Sequence, residues 1–311
     1  MFAGLGPAPG RCDLEIPSVQ HQGCDVLVVG GGVAGLMAAR TLHRAGLGVI
    51  LCEREPACGG ELEFESSRIG SLPALEWVKQ TLHELEAGGA RIFTRMALVH
   101  LAAEGMIAHG DAASPGRPQV LHLHPHHTLL ATGAVERTNA FVGNDLPGNM
   151  LLGAAEGFAA RQGVRLARRA LLFGNHDRLY AAARRLRTLG VGIRAIVDIR
   201  EQTRRPPCDD LIEAGVDCHA AHGVMAAVGR GRVRGALVAP LTSPDAAFRI
   251  DCDAIFMSGG WNAMTRLSWE PGSEAPLACG AANGAFDLAA AIEDGQRAAL
   301  QVAGKQGRRR S

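Results

Sequence analysis

Short apolar runs that end in glycine turns and lead into helical periods organise the chain. Cys24-Asp25-Val26-Leu27-Val28-Val29 is such a run, the pattern of a strand buried on both faces. It enters Gly30-Gly31-Gly32-Val33-Ala34-Gly35, after which Leu36 to Ala45 reads as a helix closed by Gly46 and Gly48. Val49-Ile50-Leu51-Cys52 is the next strand and ends on Glu53, completing a β-α-β unit. Residues 72–87 repeat apolar positions at helical spacing (Leu75, Val78, Leu82, Leu85) until Gly88-Gly89 stops them. Arg91 to Leu101 and Gln119 to Ala131 read as strands.

A second unit follows the same grammar. Arg169 to Gly174 is strand-like, Leu179 to Leu189 helical, and Gly192 to Val197 a strand that ends at Asp198. Val224 to Pro240 alternates around Gly229 and Gly231 as a hairpin does. Asp253-Ala254-Ile255-Phe256-Met257-Ser258 is another buried strand entering Gly259-Gly260, and an Ala-rich helix is predicted over Gly284 to Gln301. Strands alternating with helices predict an α/β protein with parallel sheet. Two β-α-β units predict two Rossmann-like dinucleotide-binding domains, the second inserted in the first. The boundaries read as a flexible N-terminal segment (1–22), a first domain (23–138 and 251–303), a second, degenerate domain (139–250) and a basic tail (304–311).

Composition narrows the classes. Of 311 residues 40 are Gly and 47% are hydrophobic, which excludes a disordered chain; the absence of a Gly-X-Y period excludes collagen. The formal charge of +1 gives no field to attract nucleic acid or an anionic membrane. No apolar run reaches the roughly 18 residues of a membrane span, and the first 22 residues lack the pattern of a signal peptide. The eight cysteines are scattered without C-x-x-C spacing, so reduced thiols in a cytoplasmic protein are expected. His122-x-His124-x-His126-His127 could line one strand face; the alternatives are a metal site and an irregular solvent-facing strand interrupted at Pro125. No metal site is expected, and no catalytic acid, base or nucleophile is assigned.

The strongest chemical signal is Gly30-x-Gly32-x-x-Gly35 between strand and helix, with Glu53 ending the next strand. Gly30 permits the tight turn, Gly32 lets a pyrophosphate approach the backbone, and Gly35 lets helix and strand pack closely. The helix N-terminus then holds the anion and Glu53 accepts ribose hydroxyls.

These residues, with Cys58-Gly59-Gly60, Leu129-Leu130-Ala131-Thr132-Gly133-Ala134 and Gly280-Ala281-Ala282-Asn283-Gly284, resemble the flavoprotein pyridine-nucleotide oxidoreductases with two dinucleotide domains. A narrower resemblance is carried by Leu72-Pro73-Ala74-Leu75-Glu76-Trp77-Val78, Ala131-Thr132-Gly133-Ala134-Val135-Glu136-Arg137, Asn144-Asp145-Leu146-Pro147-Gly148 and Ser258-Gly259-Gly260-Trp261-Asn262. They look like the alpha subunits of heterotetrameric sarcosine oxidase and its relatives in opine oxidase, hydrogen cyanide synthase and dye-linked proline or hydroxyproline dehydrogenases. The resemblance implies FAD, or NAD or another adenine nucleotide in the same site, bound through Gly30, Gly32, Val33, Ala34, Gly35, Glu53, Arg54, Gly60, Glu61, Ala97, Thr132, Gly133, Gly280, Ala281 and Asn283. It further implies a beta-type flavoprotein partner, an FMN shared at the subunit interface, a small iron–sulfur subunit in some relatives, and a hetero-oligomer that oxidises a secondary amine or imino acid.

Two departures bear on these expectations. The general family has Asp after the glycine of its last turn, where this chain has Ala281. Gly174-Asn175-His176-Asp177-Arg178-Leu179 keeps one glycine where an NAD(P)H domain needs three, and Asp177 would repel a pyrophosphate. The second domain is therefore not expected to bind NAD(P)H, which favours an electron-relaying subunit over a self-sufficient FAD-dependent NAD(P)H oxidoreductase or a nucleotide-binding scaffold. Trp261 is read either as a stacking platform or as packing.

Overall fold

The computed structural model describes residues 18–64, 67–102, 105–110, 119–201, 207–265 and 276–310. The chain divides into two compact units, residues 1–133 with 263–311, and residues 134–262.

The first unit opens with β1 (Ser18–Val29), α1 (Val33–Arg44) and β2 (Val49–Cys52), then β3 (Arg68–Ile69), β4 (Leu72–Pro73) and α2 (Ala74–Ala87). β5 (Arg91–Phe93), β6 (Met96–Ala102), β7 (Gly105–Gly110) and β8 (Gln119–Leu130) follow. The intervening unit holds β9 (Ala134–Glu136), β10 (Asn149–Leu151), α3 (Leu152–Gln162), β11 (Ala170–Gly174), α4 (Arg178–Thr188) and β12 (Ile193–Asp198). It continues with α5 (Asp209–Glu213), β13 (Asp217–Ala220), β14 (His222–Val228), β15 (Gly235–Pro240), β16 (Phe248–Ile250), β17 (Ala254–Ser258) and β18 (Trp261–Ala263). The chain then returns through β19 (Leu277–Ala278) and α6 (Leu288–Arg310).

In the first unit the sheet runs β5-β2-β1-β8-β7-β6, with β19 also on β8. Strand β1 lies between β2 and β8, parallel to both, while β6, β7 and β8 form an antiparallel meander. Because successive side chains point to opposite faces, β1 divides its apolar run between two cores. Val26 and Val28 pack with Leu36, Leu42, Val78 and Ala299 from the helices, whereas Leu27 and Val29 pack with Met96, Met106, Leu121 and Leu123 of the meander. This is why the run is continuous instead of alternating.

The second unit repeats the plan. Its parallel sheet is β10-β17-β11-β12-β13, beside a separate antiparallel sheet β14-β15-β16. Leu172 and Ile196 face α3 and α4, and Leu171, Phe173 and Val197 face the meander residues Val224, Val238 and Ile250. Both units are thus Rossmann-like α/β layers covered by a β-meander on one face.

Several sequence boundaries move. Residues 18–22, assigned to a flexible start, begin β1 and pair with β8 from Ser18↔Gln119 onward; with Val19 the one apolar side chain among them, they gave no apolar run. Residues 1–17 lie outside the described residues. Residues 251–262, assigned to the first domain, belong to the second unit with 134–138, because β17 sits between β10 and β11. An apolar run identifies a buried strand but not the sheet it joins. Residues 304–310, read as a tail, continue α6. That helix starts at Leu288 because the Asp287 carboxylate accepts from Ala290 N at 2.8 Å, the usual N-cap device. The strand predicted over 91–101 breaks at Arg95, whose φ is +55°.

The histidine strand is regular through Pro125, which pairs in register with Cys24. Strand β7 reaches only Leu123 on the other side, so the missing proline N–H interrupts no ladder there. His21 stacks on His122 at 4.7 Å between ring centroids. Among the described residues no group of three or more His, Cys, Asp or Glu could hold a metal ion.

Candidate functional site

The first glycine turn is built from the end of β1 upward. Gly30 has φ +106°, and a Cβ there would overlap the Ala131 carbonyl. Gly35 lies so close beneath that a Cβ would overlap the Gly30 carbonyl oxygen; this contact presses α1 onto β1. Gly32 differs, since a Cβ added there meets nothing within 4 Å. It is the N-cap of α1, in extended conformation and with no side-chain cap hydrogen bond. The helix N-terminus, with its orphan N–H groups and positive dipole end, therefore opens onto free space beside Gly32, with Val33 and Ala34 in its first turn.

Glu53 closes one side. Its Oε2 accepts from Gly31 N at 2.6 Å and its Oε1 from Glu55 N at 2.8 Å, so the carboxylate is fixed against the turn. Arg54 is exposed and pairs with Glu55 at 3.3 Å. The Cys58–Gly60 loop packs from above: Gly59 N donates to Gly31 O at 2.8 Å, and a Cβ on Gly60 would sit 3.3 Å from Gly32 Cα. Glu61 follows, exposed, in a short 3-10 turn. Ala97 is brought to the same corner, because Met96 N donates to Glu53 O at 2.9 Å. Burial, then Glu53 and Glu86, pushes the Cys58 thiol up to about 12, and burial pushes Cys52 equally high. Both remain protonated thiols at neutral pH, neither being an activated nucleophile.

Thr132 and Gly133 are tied to the returning chain. The Thr132 hydroxyl donates to the Met264 carbonyl, and Met264 N donates to Gly133 O at 3.0 Å. The Thr132 hydroxyl proton is thus engaged within the protein, leaving its oxygen and the backbone groups of this segment to meet a ligand.

The turn Gly280–Asn283 completes the site. A Cβ on Gly280 would overlap the Ala34 Cβ, which places this turn against the first turn of α1. Ala281 contributes no polar group. Sequence reading missed the residue that fixes this turn: Asp294, inside the Ala-rich helix α6. Its carboxylate accepts from Gly280 N at 2.8 Å, from Asn283 Nδ2 at 3.1 Å and from Arg297 Nη2. One acidic residue in a polar-apolar helix pattern is indistinguishable from a solvated one until its partners are seen.

The turn after β11 is filled by its own side chains. His176 occupies the position of the second glycine, and its ring lies 4.4 Å from Trp261 between centroids. His176 Nε2 and Ser258 Oγ share a hydrogen bond of 2.8 Å. The Arg178 guanidinium stands 5.7 Å from the Trp261 centroid, so Trp261 is engaged by its own chain. At the end of β12 the fully buried Asp198 accepts from Tyr180 OH at 3.1 Å and pairs with Arg200, which also binds Asp177 at 2.7 Å. Where the first unit has a glycine-lined opening, this one has a packed histidine and an internal ion network.

Burial, then the charges of Arg178 and Arg200, pulls the His176 imidazole down to about 4. An unfolded histidine titrates near 6.5, so below that pH the unfolded chain takes up the extra proton. Stability carried by neutral His176 is complete above about pH 6.5 and is lost as the pH falls toward about 4, by up to about 3 kcal/mol. Urea melts at pH 7.5 and 4.5 should show this loss in the wild type and a flatter dependence in His176→Gln. Equal slopes would remove His176 as the cause.

Residues 25–95, which span the first β-α-β unit and the Glu53 corner, match the family model described as FAD dependent oxidoreductase. Sarcosine oxidase subunit alpha of Rhizobium meliloti (strain 1021) is 30% identical over 97% of this chain and 30% of its own length. The chain spans about a third of the length of the curated relatives of that name that it matches. Among solved structures, T. acidophilum thioredoxin reductase superposes with a TM-score of 0.69 at 17% identity, covering 91% of this chain and 99% of the other. L-proline dehydrogenase from P. horikoshii gives 0.67 at 16% identity, covering 93% and 57%. At these identities both establish the fold. The open cradle at Gly32, the uncapped N-terminus of α1 and the fixed carboxylate of Glu53 suit the phosphate and ribose groups of FAD. The chain thus has the two-dinucleotide-domain fold, carries a segment that matches the FAD dependent oxidoreductase family model, and is similar over nearly its whole length to about a third of sarcosine oxidase subunit alpha.

Proposed function

We propose that this chain is the electron-relaying flavoprotein subunit of a cytoplasmic, multi-subunit dehydrogenase or oxidase acting on a secondary amine or imino acid of the sarcosine, opine, proline or hydroxyproline type. In this reading the amine is oxidised on a beta-type flavoprotein partner, with FMN shared at the subunit interface and a small iron–sulfur subunit as a further electron carrier. The names of the relatives support the amine substrate and the subunit role. The observation that carries the relay assignment is the contrast between the two glycine turns: one is an open cradle, the other is occupied by His176.

FAD would supply the redox chemistry, taking up and passing on a pair of electrons. The protein's residues bind and orient it. The N–H groups of Val33 and Ala34 would hold the pyrophosphate at the N-terminus of α1, and Glu53 would accept the ribose hydroxyls. Gly60, Ala97, Gly133 and the Gly280 turn would shape the surrounding walls. Among the described residues NADH finds no second cradle from which to donate a hydride, and in this reading the electrons come from the partner.

The test is to purify the chain, release its nucleotide by denaturation and identify it, and to titrate the native protein anaerobically with NADH and NADPH. FAD should be released, and its absorption should be bleached by dithionite but by neither pyridine nucleotide. Bleaching by NADH or NADPH alone would overturn the relay in favour of a self-sufficient reductase. A colourless chain that releases a non-flavin adenine nucleotide would overturn it in favour of a scaffold.

A further inference from the structure

We propose that Asp294 is a positioning residue for the cofactor, holding the Gly280–Asn283 turn against the first turn of α1 without itself touching the ligand. The inference rests on the placement of FAD at that helix terminus and adds a residue to it.

The turn has no ionisable side chain of its own, being Gly280, Ala281, Ala282 and Asn283. Its fixed point comes from 14 residues further along, where Asp294 is only 5% exposed. A carboxylate is kept this deep only when donors converge on it, and here three do: Gly280 N, Asn283 Nδ2 and Arg297 Nη2. The neighbouring Gly295 shows what the arrangement serves. A Cβ on Gly295 would overlap the Ala34 carbonyl oxygen, as one on Gly280 would overlap the Ala34 Cβ. Turn and helix α6 therefore both bear on Ala34, in the helical turn whose N–H groups face the pyrophosphate. Asp294 is the bridge between those two contacts.

The bridge also orients Asn283. With the amide nitrogen donated to Asp294, the amide oxygen is the atom left to accept from a ligand hydroxyl. The exposed Asn283 thereby presents a neutral acceptor, while the negative charge stays behind the turn, offset by Arg297.

Purified wild type, Asp294→Ala and Asp294→Asn are stripped of nucleotide, and FAD affinity, visible circular dichroism of bound flavin and apoprotein Tm are measured. Asp294→Ala should weaken FAD binding by at least about tenfold, the scale of losing hydrogen bonds to a charged group, and should alter the flavin dichroism. Asp294→Asn keeps an acceptor oxygen for Gly280 N and should recover most of the affinity and the wild-type spectrum. Unchanged affinity and dichroism in Asp294→Ala would overturn the proposal while leaving the FAD site intact. If Asp294→Ala does not fold, Asp294→Asn decides: near-wild-type affinity with wild-type dichroism supports positioning, and a loss as complete as misfolding overturns it. A wild type that binds no FAD overturns the cofactor assignment, and this inference with it.

Discussion

Gly32→Asp should weaken FAD binding by about a hundredfold or more while leaving the fold intact. A Cβ at Gly32 meets nothing within 4 Å, and the residue is the extended N-cap of α1 with no side-chain cap. Aspartate is among the best N-cap residues and complements the helix dipole, so the apoprotein Tm should shift by no more than about 2 °C. The same carboxylate would lie where the proposed site puts the pyrophosphate. It would take up the N–H groups that serve the phosphate and add a like-charge repulsion worth several kcal/mol, weakening FAD binding by about a hundredfold or more. Equilibrium dialysis against FAD with parallel thermal melts separates the two effects. Retained affinity would show that this helix terminus is not the phosphate site.

Gly35→Val should do the reverse and damage the fold itself. The two glycines are three residues apart in one motif, yet a Cβ at Gly35 would overlap the carbonyl oxygen of Gly30. That atom is backbone at the end of β1 and cannot swing aside as a side chain would. Valine would force α1 off the sheet, and with it Leu36, Ala39 and Leu42, which pack in the helix-side core. An overpacked core site of this kind costs about 3 kcal/mol or more, and a Tm loss of roughly 6–12 °C is expected for a unit of this size. Excess FAD should recover little of it, because the cradle is distorted as well. A Gly35→Val protein that melts like the wild type would mean that the close helix–strand approach is not required.

Much of the candidate site was legible because a phosphate cradle constrains consecutive residues. Gly30, Gly32, Gly35 and Glu53 lie within 24 positions on one β-α-β unit, and their spacing follows from the rise of a strand and the turn of a helix. The degeneracy of the second turn was equally local: His176 and Leu179 stand where glycines would be needed. Other features depended on distant partners. Thr132 was a candidate ligand residue, and the Met264 carbonyl that takes its hydroxyl proton lies 132 positions away. Asp294 gave no signal because its role depends on a turn on the other side of a helix start. Residues 253–258 were read correctly as a buried strand and given to the wrong unit, since apolar continuity reports burial and not neighbours.

The sequence by itself determined the α/β class, the presence of two Rossmann-like units, the first glycine cradle and the loss of the second, all of which rest on interactions within about thirty residues. Only the tertiary structure decided which sheet β17 completes, that β1 reaches back to Ser18 against β8, that His176 packs on Trp261 and Ser258, and that Asp294 ties the last turn to α1. The physical reason is the same in each case. Periodicity and glycine placement record what a segment requires of its own backbone, whereas a hydrogen bond or ring contact with a different element exists only once the chain has folded to bring the two together.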